Sequence, residues 1–143
     1  MLAPLAVGEA VEVDFIADFA GLYDQAGILL RVDECTWIKA GIEVTDGALH
    51  LGAVVTHGMS DWSMAPVPDW RGREVTIRIS RDHDSITVRA RVDGGAWRMV
   101  RLAPLDGSAM ASAGPMCCSP TREGLVVRFT GFRKNDADTQ LHD

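Results

Sequence analysis

A chain of 143 residues is long enough for one domain with a single hydrophobic core. Its net charge of −6 argues against the basic surface that general nucleic-acid binding needs, and no apolar run approaches the roughly 20 residues that span a membrane. The opening residues MLAPLAV lack the basic segment of a signal peptide, and three cysteines make a poor disulfide framework. We therefore expect a cytoplasmic protein.

Short segments of alternating apolar and polar residues in the first half of the chain predict β-strands. Residues 10–19 alternate throughout, and residues 27–32 form a short apolar run. Two further segments, residues 36–44 and 48–56, flank the pair Asp46-Gly47, which suits a tight hairpin turn because glycine accepts a positive φ. The sequence therefore predicts that these two strands pair antiparallel.

The second half of the chain continues this pattern after an irregular stretch. Residues 57–70 are rich in Gly, Ser and Pro, so we expect a short strand around Trp62 followed by a loop. Alternation and turn residues then predict strands over residues 74–80, 85–92, 96–102, 114–119 and 125–131. Roughly nine short strands without a helical period predict an all-β sandwich or barrel. We expect one domain over residues 1–134 and a flexible polar tail over residues 135–143.

The segment 36–44 carries apolar side chains at one parity and polar or aromatic ones at the other. Because strand side chains alternate with period two, the two sets face opposite ways. The set predicted to face the core is Ile38, Ala40, Ile42 and Val44. The set predicted to face outward is Trp37, Lys39, Gly41 and Glu43. An aromatic ring, an ammonium group and a carboxylate on one sheet face suit a platform for a sugar or polyol.

Eight residues form the best candidate binding site, because carbohydrate sites combine flat aromatic faces with polar groups that bind hydroxyls. They are Tyr23, Asp24, Gln25, Trp37, Lys39, Glu43, Asp61 and Trp62. A structural interpretation stays open beside this one, in which the two tryptophans are core residues and Lys39 and Glu43 form an exposed ion pair. No nucleophile and base stand in a recognisable relation, so we assign no catalytic residue.

Other motifs predict ordinary structure. The triplet Asp82-His83-Asp84 has the spacing of a hairpin turn, and no further ligands follow at a useful distance, so we expect no metal site. A phosphate-binding glycine-rich loop is absent from the sequence, and we expect no cofactor. Many of the arginines fall between Arg71 and Arg101, and we interpret them as a solvated outer face of a sheet.

Three segments carry a resemblance to a known family: YDQAGILLRVDECTWIKAGIEVTDG, VVTHGMSDWS and GPMCCSPTREGLVVRFTGF. They are similar to the conserved segments of a family of unknown function typified by the fungal regulation-of-enolase protein, and the resemblance covers residues 8–132. It implies a concanavalin A-like lectin and glucanase fold, an all-β jelly-roll β-sandwich of two antiparallel sheets with about twelve to fourteen strands and one concave sheet. It implies no established reaction.

Members of that family usually carry about two to four further strands before the region that resembles this chain. The resemblance therefore implies a sandwich lacking the usual N-terminal strands. The strand at residues 10–19 would then lie beside an unfilled place in a sheet, and an unpaired edge invites a second chain. We expect a homodimer, the commonest symmetric solution. The alternative is that residues 1–8 fold across the gap and replace one strand.

Laminarinase-type enzymes of the wider fold cut glycans with alternate carboxylates on one strand. The segment Glu12-Val13-Asp14 begins that motif, but Ile16 or Ala17 stands where the second glutamate is needed, so we interpret Glu12 and Asp14 as surface carboxylates. The leading hypothesis is a non-catalytic protein that binds a carbohydrate-related metabolite or a metabolic-enzyme partner through its concave sheet. The alternative is a hydrolase or isomerase acting on a sugar derivative, with Glu43 or Asp61 as acid or base.

Overall fold

The computed structural model describes residues 1–141, which form two antiparallel β-sheets packed face to face. Eleven strands are present among these residues. In chain order they are β1 (Ala3–Pro4), β2 (Glu9–Ile16), β3 (Gln25–Arg31), β4 (Thr36–Thr45), β5 (Ala48–His57), β6 (Met59–Pro66), β7 (Glu74–Arg81), β8 (Ser85–Val92), β9 (Arg98–Pro104), β10 (Ser112–Cys118) and β11 (Phe129–Asp136). A 3₁₀ turn at Pro68–Trp70 follows β6. It is the helical segment of the described chain, and it is far too short to cross a membrane.

The two sheets have the orders β1-β10-β3-β4-β5-β6 and β11-β2-β7-β8-β9. We call them the six-stranded and the five-stranded sheet. Alternate residues of both sheets meet between the layers and form one core, because each strand buries every second side chain. Phe15, Ile28, Ile42 and Ile77 are among the fully enclosed side chains. The predicted jelly-roll-like β-sandwich of two antiparallel sheets is therefore confirmed.

The parity predicted for β4 is confirmed. Ile38, Ala40 and Ile42 are at most 1% exposed, whereas Lys39 and Glu43 are partly exposed on the opposite face. The hairpin between β4 and β5 turns at Asp46-Gly47, whose φ angles of 52° and 74° are both positive, as a tight primed turn requires. This turn sets the register of the whole pair, from Thr45 opposite Ala48 onward.

Two predicted strands differ from the structure in their limits. The short strand predicted around Trp62 is present as β6, but it is a longer, eight-residue edge strand that pairs with β5 along its full length. The last strand, predicted over residues 125–131, begins only at Phe129 and continues to Asp136. The apolar residues Leu125 and Val127 instead pack against the core from an irregular segment.

The predicted flexible tail begins inside β11 and is held against the outer face of the five-stranded sheet. Arg78 donates to the side chain of Asn135 (2.9 Å) and to the Asp136 carbonyl (2.8 Å). The Asp138 carboxylate bridges Arg78 and Arg89, and its main-chain N–H donates to Ser80 Oγ (2.8 Å). Residues 135–141 therefore lie against this face, while residues 142 and 143 of the predicted tail lie outside the described residues, and the flexibility of the tail stays a prediction.

This covering overturns the interpretation of Arg78, Arg89 and Glu12 as surface groups, whereas Arg71, Arg73 and Arg98 are exposed as predicted. Arg78 and Arg89 are 8% and 6% exposed, and Glu12 is 6% exposed. Glu12 forms ion pairs with Arg78 (2.8 Å) and Arg133, because charged groups that leave water need a partner of opposite charge. Asp14 pairs with Arg133 at 2.6 Å.

The strand at residues 10–19 is not beside an unfilled place. It corresponds to β2, which lies between β11 and β7 in the interior of the five-stranded sheet. Residues 1–8 supply the short strand β1, which pairs with β10 at the margin of the other sheet. The structural reason given for a homodimer is therefore wrong, and dimer formation itself stays a prediction.

Candidate functional site

Glycines on three neighbouring strands form the floor of a groove on the outward face of the six-stranded sheet. Gly27, Gly41 and Gly52 lie opposite one another in the registers of β3, β4 and β5. The same row ends in Met116 on β10 and Met64 on β6. With strands about 4.8 Å apart, the two methionines stand about 19 Å from each other. The row is therefore low in the middle and raised at both ends.

The backbone leaves no room for side chains on this floor. A Cβ at Gly27 would lie 2.0 Å from the Ala40 carbonyl oxygen, and one at Gly52 would lie 2.3 Å from that of Ser63. Glycine is therefore required at these positions by the close approach of neighbouring strands, which is one of the recognised uses of glycine inside a sheet.

A chain of three polar side chains runs along the groove. Lys39 Nζ donates to Gln25 Oε1 at 2.7 Å, and Gln25 Nε2 donates to Glu43 Oε1 at 3.1 Å. Lys39 and Glu43 stand four residues apart on β4, about 13 Å along a strand, with Gly41 between them. The glycine floor leaves space for the long side chains to meet above it. The result is a fixed order of cation, amide and carboxylate.

The environment of Glu43 favours its neutral form more than water would. Burial raises the pKa of the Glu43 carboxyl, while the charges of Lys39 and His50 act in the opposite direction. His50 lies directly opposite Glu43 in the β4–β5 register, and its Nδ1 lies 3.1 Å from the Ala48 carbonyl oxygen. Glu43 can therefore accept hydrogen bonds when charged and donate one when protonated.

Trp62 forms an aromatic side wall of the groove. It lies opposite Val54 on β5, which in turn lies opposite Lys39, and its side chain is 53% exposed. The enclosed volume between these residues is only about 20 Å³, close to the space that one water molecule needs. A ligand here would lie across the face against the indole and would not sink into a cavity.

The structure brings four of the eight predicted site residues together: Gln25, Lys39, Glu43 and Trp62 line the groove. Trp37 is partly exposed on the same face of β4, beyond Lys39, and lies outside the lining. Asp61 differs from Trp62 in parity, lies opposite the core residue Val55, and forms an ion pair at 3.0 Å with Arg101 of the other sheet. Asp61 therefore links the edges of the two sheets and does not line the groove.

Tyr23 and Asp24 lie in the loop before β3. Tyr23 has a positive φ of 63° and is 39% exposed. Asp24 is wholly enclosed, and its carboxylate accepts hydrogen bonds from the Gly21 N–H, from Ser119 Oγ and from Arg122. Burial alone would raise the pKa of this carboxyl, but these donors outweigh it and lower the pKa. Asp24 holds two loops together, and we leave it out of the site.

The glycine floor and the two methionine walls were not predicted from the sequence. Gly27 and Met116 fall inside predicted strands without a role in a site, Gly52 has no role in the predicted site either, and Met64 falls in the stretch 57–70 that is predicted to be largely irregular. A signal was present, since glycine inside a predicted strand marks a bulge or a close approach. That three such glycines lie side by side in one row can be recognised only when the register of the neighbouring strands is known.

The chain matches, over residues 1–137, a family described as a protein of unknown function, DUF1349. It belongs to this family. A relative from Saccharomyces cerevisiae, named "Regulation of enolase protein 1", is 42% identical over 112 residues. The alignment includes 78% of this chain and 56% of the yeast protein, so the chain spans little more than half the length of that relative.

Solved structures agree on the fold. A functionally unknown protein from Saccharomyces cerevisiae superposes with a TM-score of 0.87 at 35% identity, covering 95% of this chain and 73% of the other. A xylan β-1,4-xylosidase from Bacillus halodurans gives a TM-score of 0.79 at 14% identity, covering 94% of this chain but only 29% of the enzyme. At that identity the second likeness concerns the sandwich architecture alone.

Proposed function

We propose that this protein is a non-catalytic β-sandwich that binds a carbohydrate-related metabolite across the groove of the six-stranded sheet. The observation that carries the proposal is the groove itself: an exposed indole, Trp62, beside the ordered chain of Lys39, Gln25 and Glu43 over a glycine floor. Sugars bind through C–H contacts with aromatic faces and through hydroxyl groups that need both donors and acceptors.

The polar groups of the groove supply both kinds of hydrogen-bonding partner. Lys39 is a donor, the Glu43 carboxylate is an acceptor, and the Gln25 amide is already oriented by the other two. A ligand that lies across a groove of this depth keeps much of its own surface in water. We therefore expect modest affinity and a preference for flat, hydroxyl-rich molecules.

The name of the yeast relative supports a setting in carbohydrate metabolism. We propose that the protein acts in the cytoplasm and that the groove or the neighbouring edge strand β6 also contacts a metabolic enzyme, with enolase as the first partner to test. Exposed Trp62 and Met64 give the groove face of β6 an apolar surface suited to such contact, and exposed Met59 lies at the opposite parity of the same edge strand. A homodimer would use the same edge.

A hydrolase or isomerase is the competing proposal, and the raised pKa of Glu43 would suit a general acid. Glycoside hydrolysis ordinarily needs a second carboxylate on the other side of the scissile bond. Among the described residues that line the groove, Glu43 is the one carboxylate, since Asp61 pairs with Arg101 behind the strand. This lack of a partner favours binding over catalysis.

A thermal-shift and calorimetric screen tests the proposal. The whole chain is titrated with neutral sugars, sugar phosphates and sugar acids, and a ligand at 100 times its Kd is expected to stabilise the fold by about 2.7 kcal/mol. Trp62→Ala is expected to remove this stabilisation without unfolding the chain, because the indole is more than half exposed.

Trp97→Ala is the matched control, since Trp97 belongs to the five-stranded side, where it stacks under Arg91 at 4.2 Å. It should bind as the parent chain does. If no sugar derivative stabilises the parent chain, or if Trp62→Ala binds as tightly as the parent, the binding proposal fails. Turnover of a sugar derivative that is lost in Glu43→Gln would favour the enzyme instead.

A further inference from the structure

Arg81 is an arginine at a core-facing position of β7. It continues the series Val75, Ile77 and Ile79 on the core side of β7, whereas Arg78 lies at the outer parity of the same strand. Its side chain is 2% exposed. An arginine stays ionised in proteins, so this position holds a permanent positive charge at the end of the core.

Arg81 forms no direct ion pair among the described residues, although its charge adds to the Ser108 hydrogen bonds in lowering the pKa of the Asp106 carboxyl. Its guanidinium donates to three main-chain carbonyls: Leu5 (2.7 Å), Asp106 (3.2 Å) and Ala109 (2.7 Å). Among residues 1–141, no carboxylate oxygen lies within 4.0 Å of it, in contrast to Arg78 and Arg89. Its Nε–H is buried without a hydrogen-bond partner. A buried ion that is paired only with carbonyl dipoles costs free energy that an anion would offset.

Arg81 is among the residues that line an open cavity of about 250 Å³. Its walls come from the segment before β2 and from the loop between β9 and β10, and they are mainly apolar: Pro4, Leu5, Val7, Ala109, Met110 and Ala111. This volume lies just below the range of about 300–1,000 Å³ that is typical of ligand sites, which restricts the occupant to a small molecule. One cation within apolar walls matches an oxyanion that carries a short hydrocarbon tail.

We propose that the cavity beside Arg81 is a second ligand site, separate from the groove, that takes a small monocarboxylate with a short aliphatic chain. The carboxylate supplies the direct ion-pair partner that Arg81 lacks among the described residues, and the tail lies against the apolar walls. Binding ties the N-terminal segment at Leu5 to the 105–111 loop, because both already contact Arg81 and line the cavity.

The experiment compares sodium butyrate, acetate and inorganic phosphate with sodium chloride at equal ionic strength, using thermal shift and ¹H–¹⁵N NMR of the whole chain. Butyrate is expected to raise Tm by about 4 °C at about ten times its Kd and to shift the amide signals of residues 5–7 and 107–111. Acetate is expected to act more weakly, and phosphate no more than chloride.

Ala6→Leu fills the cavity from an exposed lining position and leaves Arg81 and its carbonyl partners in place. It is expected to raise the Kd for butyrate at least tenfold, while Ala65→Leu, an exposed alanine on β6, leaves the Kd unchanged. Arg81→Met is expected to abolish the stabilisation by butyrate if this variant folds. If it does not fold, Ala6→Leu tests the proposal.

Trp62→Ala distinguishes the two sites, because this variant should lose sugar binding but keep the stabilisation by butyrate. The proposal is overturned if no carboxylate exceeds chloride, if phosphate matches butyrate, or if Ala6→Leu responds as the parent chain does.

Discussion

Gly41 lies directly opposite Gly27 in the β3–β4 pair, so close that a Cβ on Gly41 would stand 2.7 Å from the Gly27 Cα and 2.1 Å from the Ala26 carbonyl oxygen. We therefore predict that Gly41→Ala forces the two strands apart. The expected loss is about 2 kcal/mol of unfolding free energy, in the range of overpacked interiors, together with loss of groove binding. Urea unfolding measures the first and calorimetry the second.

Gly58→Ala provides the control for this change. Gly58 has a positive φ of 76°, but nothing lies within 4 Å of the position that its Cβ would take. Its replacement should cost only the conformational penalty of about 1 kcal/mol and should leave binding intact. Equal effects of the two substitutions would mean that strand contact at Gly41 has no special importance.

The stability of the fold should depend on the protonation of Glu43. Because the folded pKa of this carboxyl is raised by burial, its destabilising contribution is fully present above the folded pKa and disappears below the unfolded pKa of about 4.3. Glu43→Gln keeps an oxygen that can accept from Gln25 and removes the charge. We expect it to raise Tm at pH 7 and to have little effect at pH 4.

The control for the pH experiment is Glu34→Gln, which changes an exposed carboxylate in the β3–β4 turn. Its effect on Tm should be small at both pH values. A Glu43→Gln variant that is less stable than the parent at pH 7 would show that the attraction of Lys39 and His50 exceeds the cost of burial.

The Asp138 carboxylate should be essential for the five-stranded sheet. It pairs with both Arg78 and Arg89, which are buried, so Asp138→Ala leaves one enclosed guanidinium without a counter-ion. We expect a loss of about 3 kcal/mol in chemical unfolding, at the low end for broken buried ion pairs because Asp138 is partly exposed. Asp136 contacts Arg78 through its main-chain carbonyl, which Asp136→Ala retains. This variant should therefore lose much less unfolding free energy. Equal losses would contradict the bridging role.

Homodimer formation stays a prediction, and β6 is the edge at which we expect it. All eight residues of this edge strand are exposed, including Met59 at 86%, and its outer backbone edge has no neighbour in the sheet. Sedimentation equilibrium at micromolar concentration should give twice the chain mass of 15.5 kDa. Met59→Lys should shift the equilibrium to monomer, whereas Val126→Lys, at an 82% exposed position elsewhere, should not. A parent chain that sediments as a monomer would refute the prediction.

The sequence predicted those parts of the fold that depend on local pattern. The parity of β4 and the turn at Asp46-Gly47 follow from alternation and from positive φ, which neighbouring residues determine. The edge strand β6 was predicted around Trp62 but its length was underestimated, because no burial imposes an alternating pattern on it. The burial of Glu12 and Arg78 was missed because it depends on contacts between distant parts of the chain: Arg78 meets Asp138 across 60 positions and Glu12 across 66.

Half of the candidate site was predictable for the same reason. Lys39 and Glu43 share a face by parity alone, and Gln25 and Trp62 join them through the registers of β3 and β6. Asp61 was misassigned because adjacent residues of one strand face opposite sides, so it cannot accompany Trp62. The glycine floor depends on which strands are neighbours, which a single sequence does not state.

The pairing of β2 with β11 affects how the chain can fold. These strands come from opposite ends of the sequence, and Asp14 meets Arg133 across 119 positions. Contacts of such high sequence separation slow folding, since the entropy of closing the loop is lost before the contact stabilises anything. On the ribosome, β2 leaves the exit tunnel early and waits for its partner until nearly the whole domain has been made. During that interval its edge stays open, so chaperone dependence during synthesis should exceed that of a sandwich with neighbouring hairpins.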